Sequence, residues 1–113
     1  MLTVTFFEDS RGRLSSFVAS GHAQFADYGE DIVCAAVSSV LQAARLGLEE
    51  HARVAPEVEQ ESGDMSLRVR SEDRRRDDVR AILATALLAV ERIAAQYPQS
   101  VTCRRETDSN AKQ

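Results

Sequence analysis

Two stretches of this 113-residue chain carry apolar residues at three- and four-residue spacing, and no other feature constrains the fold as much. Over residues 32 to about 50 the stripe is Val33, Val37, Val40, Leu41, Ala44 and Leu48. Over residues 74–96 it is Val79, Ile82, Leu83, Ala86, Leu87, Val90, Ile93 and Ala94. Each pattern predicts an amphipathic helix with one face that water must not reach. Asp73, Asp77 and Asp78 suit the positive end of the second helix dipole, and Pro98 stops that helix. A single sheet face is wide enough to bury both stripes.

The sequence between and around the helices supplies that sheet. Thr3-Val4-Thr5-Phe6-Phe7 is β-prone, with Leu2, Val4 and Phe6 on one face. A turn over residues 8–13 containing Gly12 leads to a second strand over 14–20, which makes a hairpin. Residues 54–60 and 65–70 flank Ser62-Gly63-Asp64 as a second hairpin. Met65, Leu67 and Val69 alternate there with Ser66 and Arg68, and Pro56 marks the preceding strand as an edge or as irregular at its start. A last strand covers 99–104. The expected order is ββαββαβ: an α/β (α+β) two-layer sandwich, two helices on one mixed sheet. The expected division is a single domain over 1–105 and a polar tail over 106–113.

Composition excludes more than it selects. With 43% hydrophobic and 28% charged residues, the chain reads as an ordinary globular domain. A net charge of −4 opposes wrapping nucleic acid, so no direct nucleic-acid binding is expected. No apolar run approaches the ~20 residues that span a bilayer, and the segment MLTVTFFEDS lacks a secretory pattern. Two cysteines without such a signal point to thiols in a reducing cytoplasm.

His22 and Cys34 flank a turn-rich connection, bracketed by Gly21 and Gly29, that opens into the first helix. The pattern places Cys34 in the first helical turn, where unpaired N–H groups and the dipole favour a thiolate. A neighbouring imidazole can activate that sulfur and protonate a leaving amine, and the same N–H groups can hold an oxyanion. Read from the residues alone, the bland alternatives stand beside this one: Cys34 as a small buried hydrophobe, His22 as a loop residue bonded to backbone. Zinc is poorly supported, because two ligands leave its tetrahedron half empty. The dyad chemistry itself requires no metal and no cofactor.

Gly21-His22-Ala23, Tyr28-Gly29, Asp31-Ile32-Val33-Cys34-Ala35-Ala36 and Ser38 resemble the signature of the ribosomal-processing cysteine protease family, Prp. The resemblance is dense over residues 21–40. It implies a cysteine endopeptidase with nucleophile Cys34 and catalytic histidine His22. The implied substrate is the precursor of large-subunit ribosomal protein twenty-seven, which loses an N-terminal extension beside aromatic and small residues. The resemblance also implies a homodimer and a mobile loop over the site. Here that loop reads Gln24-Phe25-Ala26-Asp27, poorer in glycine and histidine than in other members.

Asp31 either caps the helix or orients His22, and its position favours capping. Ser38, four residues after Cys34, shares its helix face and either lines the site or bonds back to a helix carbonyl; its place in the family-like motif favours the site. Phe25 and Tyr28 are candidate lid contacts or loop anchors, and Asp27 is an exposed carboxylate. His51 reads as a surface residue, Cys103 as core, and Arg74-Arg75-Arg76 as a solvated helix start. Two other functions compete: a non-catalytic ribosome-associated binding module, and a thioesterase-like cysteine hydrolase.

Overall fold

The computed structural model of the chain describes residues 1–21, 28–61 and 63–108. Its elements are β1 (Leu2–Glu8), β2 (Leu14–Ser20), α1 (Tyr28–Leu46), β3 (Glu57–Glu61), β4 (Asp64–Arg68), α2 (Asp77–Gln96) and β5 (Val101–Thr107). The expected ββαββαβ order is observed. The five strands lie in the order β3-β4-β2-β1-β5, with β1 and β5 parallel and every other pair antiparallel. The sheet is therefore mixed.

The two crossovers explain why both helices share a face. β2 runs to β3 through α1, past β4, and β4 runs to β5 through α2, past β2 and β1. β2 and β4 point in opposite directions, and the crossovers step in opposite directions along the sheet. Right-handed connections then put both helices on the same side. The register lines up the apolar surface they cover: Phe6 opposite Phe17, Phe17 opposite Leu67, Val4 opposite Ala19, Ala19 opposite Met65. Phe6 and Phe17 stack at 5.5 Å between ring centroids. Val37, Leu41 and Leu48 from α1 and Val79, Leu83 and Val90 from α2 complete the core, all buried. The opposite sheet face carries Thr3, Thr5, Val18, Ser66 and Arg68.

By length and composition, residues 32–51 could cross a bilayer, with mean hydropathy 1.4, so the expectation that no run comes near that length was too strict. In the fold, the Val33–Leu48 stripe of this segment is buried against the sheet. The helix does not end cleanly. Directly after α1, Gly47–His51 form a π-helical turn, with Ala52 N donating to Gly47 O.

Expected boundaries shift in both edge strands. β3 begins at Glu57, one residue past Pro56, and is an edge strand as expected. β5 continues through Thr107, pairing Glu106 with Phe7 and Thr107 with Glu8, so the polar stretch from 106 starts as strand. Asp108 then donates its N–H to Glu8 O and pairs with Arg68. Ordered backbone bonding overrides polar composition there, because the neighbouring strand offers a full ladder.

The largest correction concerns the arginines. α2 begins at Asp77, not 74, after a short 3₁₀ turn over Ser71–Asp73. Arg74 is not a solvated helix start: its side chain is 1 % exposed. Its Nε donates to Val69 O at 2.9 Å, and its Nη1 lies 3.4 Å from Asp9 Oδ2, itself in a side chain 2 % exposed. Arg76 Nη2 donates to Ala52 O at 2.6 Å and to Asp78 Oδ2 at 2.8 Å. Of the three, Arg74 alone is buried; Arg75 is exposed and the Arg76 side chain is partly so. Asp9 also receives the N–H groups of Arg11 and Arg13 on Oδ1, which shapes the β1–β2 turn. Burial pulls the Asp9 carboxyl up, but those two N–H groups and the guanidinium groups of Arg13 and Arg74 hold it below its ordinary 3.8.

At the other end of β2, Gly21 takes φ +92°, and a Cβ there would sit 2.5 Å from Met1 O. Only glycine fits against the first strand's entry at this point, where the chain leaves the sheet toward residue 22.

Removing Arg74 leaves the Asp9 charge buried, so Arg74→Ala should cost about 3–5 kcal/mol in urea unfolding. Because the folded Asp9 value lies below the unfolded one, its stabilisation is complete above the ordinary value and is lost as pH falls through the folded value. Asp9→Asn should therefore flatten the acid limb of a stability–pH curve while lowering stability at neutral pH. Gly21→Ala should lose about 1–3 kcal/mol from the strained angle, with more from the clash, read as a lower thermal midpoint.

Candidate active site

The chain leaves β2 at Ser20 and re-enters regular structure at Tyr28. His22 and the loop positions Phe25 and Asp27 lie outside the described residues. Tyr28, Gly29 and Asp31 all fall inside α1. Gly29 therefore does not mark a turn, since helical angles suit any residue, and Asp31 is the fourth helical residue rather than the cap. It still lies in the first turn, where an acidic residue suits the dipole.

This earlier start also relocates Cys34. It is the seventh residue of α1, in the second turn rather than the first. Its N–H is engaged in the helical ladder, so the expected oxyanion donor at this amide is not available. The dipole's influence on the sulfur is weaker as well, because it fades beyond the first turn. Cys34 is 4 % exposed and packs in the core cluster with Val33 and Val37. Its residue type and its burial thus follow the apolar stripe.

One turn further on, Ser38 lines a groove of about 440 Å³ between α1 and the β3–β4 hairpin. The groove floor is apolar, built from Leu2, Ala19, Val37, Leu41 and Met65. Its rim is polar, with Gln42 on the helix and Gln60, Glu61 and Asp64 on the hairpin. Two contacts tie the walls together: Gln42 Nε2 donates to Met65 Sδ at 3.7 Å, and Arg45 Nη1 donates to Gln60 Oε1 at 3.3 Å. Ser38 was a candidate from its place in the family-like motif, four residues after Cys34. The hairpin residues were not, because nothing local in their sequence says which helix they will face.

The second thiol has a different environment. Cys103 sits opposite Val4 on the core side of β5, half-buried and packed against the core as expected. Burial pushes its thiol up to about 11, and the Glu91 carboxylate adds to the shift. At neutral pH it holds almost no thiolate, which makes it a packing residue and not a nucleophile. His51 is exposed at the end of the π-helical turn, as expected of a surface residue. Among the described residues, no three His, Cys, Asp or Glu side chains cluster as metal ligands would.

Known proteins share both this sequence and this fold. The family model described as cysteine protease Prp matches residues 1–102. A Staphylococcus aureus protein named ribosomal processing cysteine protease Prp is 28% identical over 101 residues, covering 89% of this chain and 95% of its own. A crystal structure from Streptococcus mutans superposes with a TM-score of 0.83 at 29% identity, over 96% of each chain. The Staphylococcus aureus Prp structure with a covalently linked product peptide gives 0.82 at 26% identity, over 93% of this chain and 99% of that one. The resemblance first visible between Gly21 and Ser38 therefore runs through both helices and the first four strands to the start of the last, and this chain belongs to the cysteine protease Prp family.

Proposed function

We propose that this protein is an endopeptidase in which Cys34 is the nucleophile and His22 its proton partner. Its proposed substrate is the precursor of large-subunit ribosomal protein twenty-seven, from which it removes an N-terminal extension. Membership of the family supports the reaction class. The relative named for ribosomal processing supports the substrate, and the relative bound covalently to a product peptide supports an acyl-enzyme route. The observation that carries the assignment to Cys34 is its place one helical turn from Ser38, which lines the groove between α1 and the β3–β4 hairpin. Cys103, with its raised pKa, offers no competing sulfur.

In this mechanism the Cys34 thiol passes its proton to His22, and the thiolate attacks the scissile carbonyl carbon. The C–N bond then breaks as His22 returns the proton to the leaving amine. Water, deprotonated by His22, cleaves the thioester and restores the thiol. Since the helix end lies a turn away from Cys34, the imidazolium is the main source of acidity for the thiol. Because Cys34 is 4 % exposed, the proposed attack requires its sulfur to be uncovered. The proposed setting is the cytoplasm, and the proposed assembly is a homodimer.

Cys34→Ala should fold with an unchanged melting profile yet abolish cleavage of a precursor peptide followed by mass spectrometry. Wild-type turnover by that variant would overturn the assignment. His22→Ala should lower kcat by at least about 10²-fold, the usual scale for a lost general acid–base group, with the pH–rate profile losing its acid limb. With iodoacetamide at pH 7, Cys34 should be alkylated before Cys103, and His22→Ala should erase most of that preference. Equal slow labelling of both thiols would refute an activated Cys34.

A further inference from the structure

The groove beside Cys34 has a chemistry of its own. Its floor, including Val37, Leu41 and Met65, is apolar, and its hairpin rim bears two carboxylates, Glu61 and Asp64. Those two residues are direct cross-strand partners at the end of the β3–β4 ladder. Like charges in that relation repel, which is a standing cost to the hairpin. No lysine or arginine is among the residues lining the groove, so the charge is not answered from within its described walls. The nearest cation on the helix wall, Arg45, is bonded to Glu49 and Gln60.

Position follows from helix geometry. At 1.5 Å per residue, Ser38 and Gln42 lie about 6 Å and about 12 Å along α1 from Cys34. An extended peptide advances about 3.3 Å per residue. A peptide with its scissile carbonyl at Cys34 therefore carries its second to fourth residue on one side of that bond past the groove.

We infer that this groove is a specificity subsite. It takes a large apolar side chain of the substrate peptide two to four residues from the scissile bond, with a cationic residue beside it under Glu61 and Asp64. The distance to the scissile bond rests on Cys34 being the nucleophile; the preference for an apolar and a cationic residue does not. Binding the cation relieves the cross-strand repulsion, and burying the side chain removes apolar surface from water on both partners.

The test measures binding, so that it stands apart from cleavage. Fluorescein-labelled peptides of about ten residues carry leucine or alanine at one position and lysine, glutamine or glutamate next to it. Fluorescence anisotropy then gives Kd for the full chain carrying Cys34→Ala. Leucine should bind at least about tenfold tighter than alanine, the scale of a filled apolar pocket. Lysine should gain about threefold over glutamine, more over glutamate, and the gain should fade in about 0.5 M NaCl as the exposed charges are screened. Glu61→Gln with Asp64→Asn should erase the lysine preference and keep the leucine preference. Gln42→Phe, which fills the groove from the helix side, should do the reverse. Equal affinities across the peptide set, or preferences that survive both sets of substitutions, would overturn the inference. Should the preferences behave as stated while Cys34→Ala still cleaves, the subsite stands and the catalytic assignment falls.

Discussion

One sheet face has to hide two helices, and everything else in this molecule is arranged around that demand. The apolar row Leu67, Phe17 and Phe6 meets Val37 and Leu41 from one helix and Val79, Leu83 and Val90 from the other in a single core. Two right-handed crossovers stepping in opposite directions satisfy it without a second sheet. A helix seated this way has fixed rotation, since turning it would expose Val37 and drive polar residues inward. Its rotation in turn decides which side chains look along the sheet toward the β3–β4 hairpin. Ser38, Gln42 and Arg45 do so because Val37, Leu41 and Ala44 point down.

A second constraint closes the opposite end of the sandwich. Arg74 bridges the backbone of Val69 and the carboxylate of Asp9, joining the lead into α2 to the β1–β2 turn across 65 residues of chain. A buried ion pair adds little net stability when compared with a well-packed apolar replacement. Its effect is selective: the β1–β2 turn that presents Asp9 Oδ1 to the Arg11 and Arg13 N–H groups leaves Oδ2 aimed inward at Arg74.

The site inherits tension from the same packing. Cys34 follows Val33 on the buried stripe, so the helix seat that positions the sulfur also covers it. A nucleophile on a core helix is held precisely where packing puts it, which favours preorganisation, and it is shielded until the surroundings yield. In the proposed function, substrate recognition falls to the neighbouring groove and the chemistry to Cys34. The α1 start at Tyr28 sharpens the point, because an amide inside the helical ladder has no hydrogen bond to spare for substrate.

Much of this was legible in residue order. The three- and four-residue spacing of Val33 to Leu48 and Val79 to Ala94 specified two one-faced helices, and the alternation of Leu2, Val4, Phe6 and of Met65, Leu67 specified strands with one buried side. The run from Gly21 to Ser38 specified the family. These signals are local, and local periodicity is what a linear sequence records directly. What tertiary structure decided is non-local: Arg74 reads as a surface charge until Asp9 arrives from the far end of the chain, and Glu106 reads as tail until β1 offers it a ladder. The groove is the same kind of object, with one wall from α1 and the other from a hairpin some twenty residues later, so its apolar floor and acidic rim exist only once the sheet has set the two side by side.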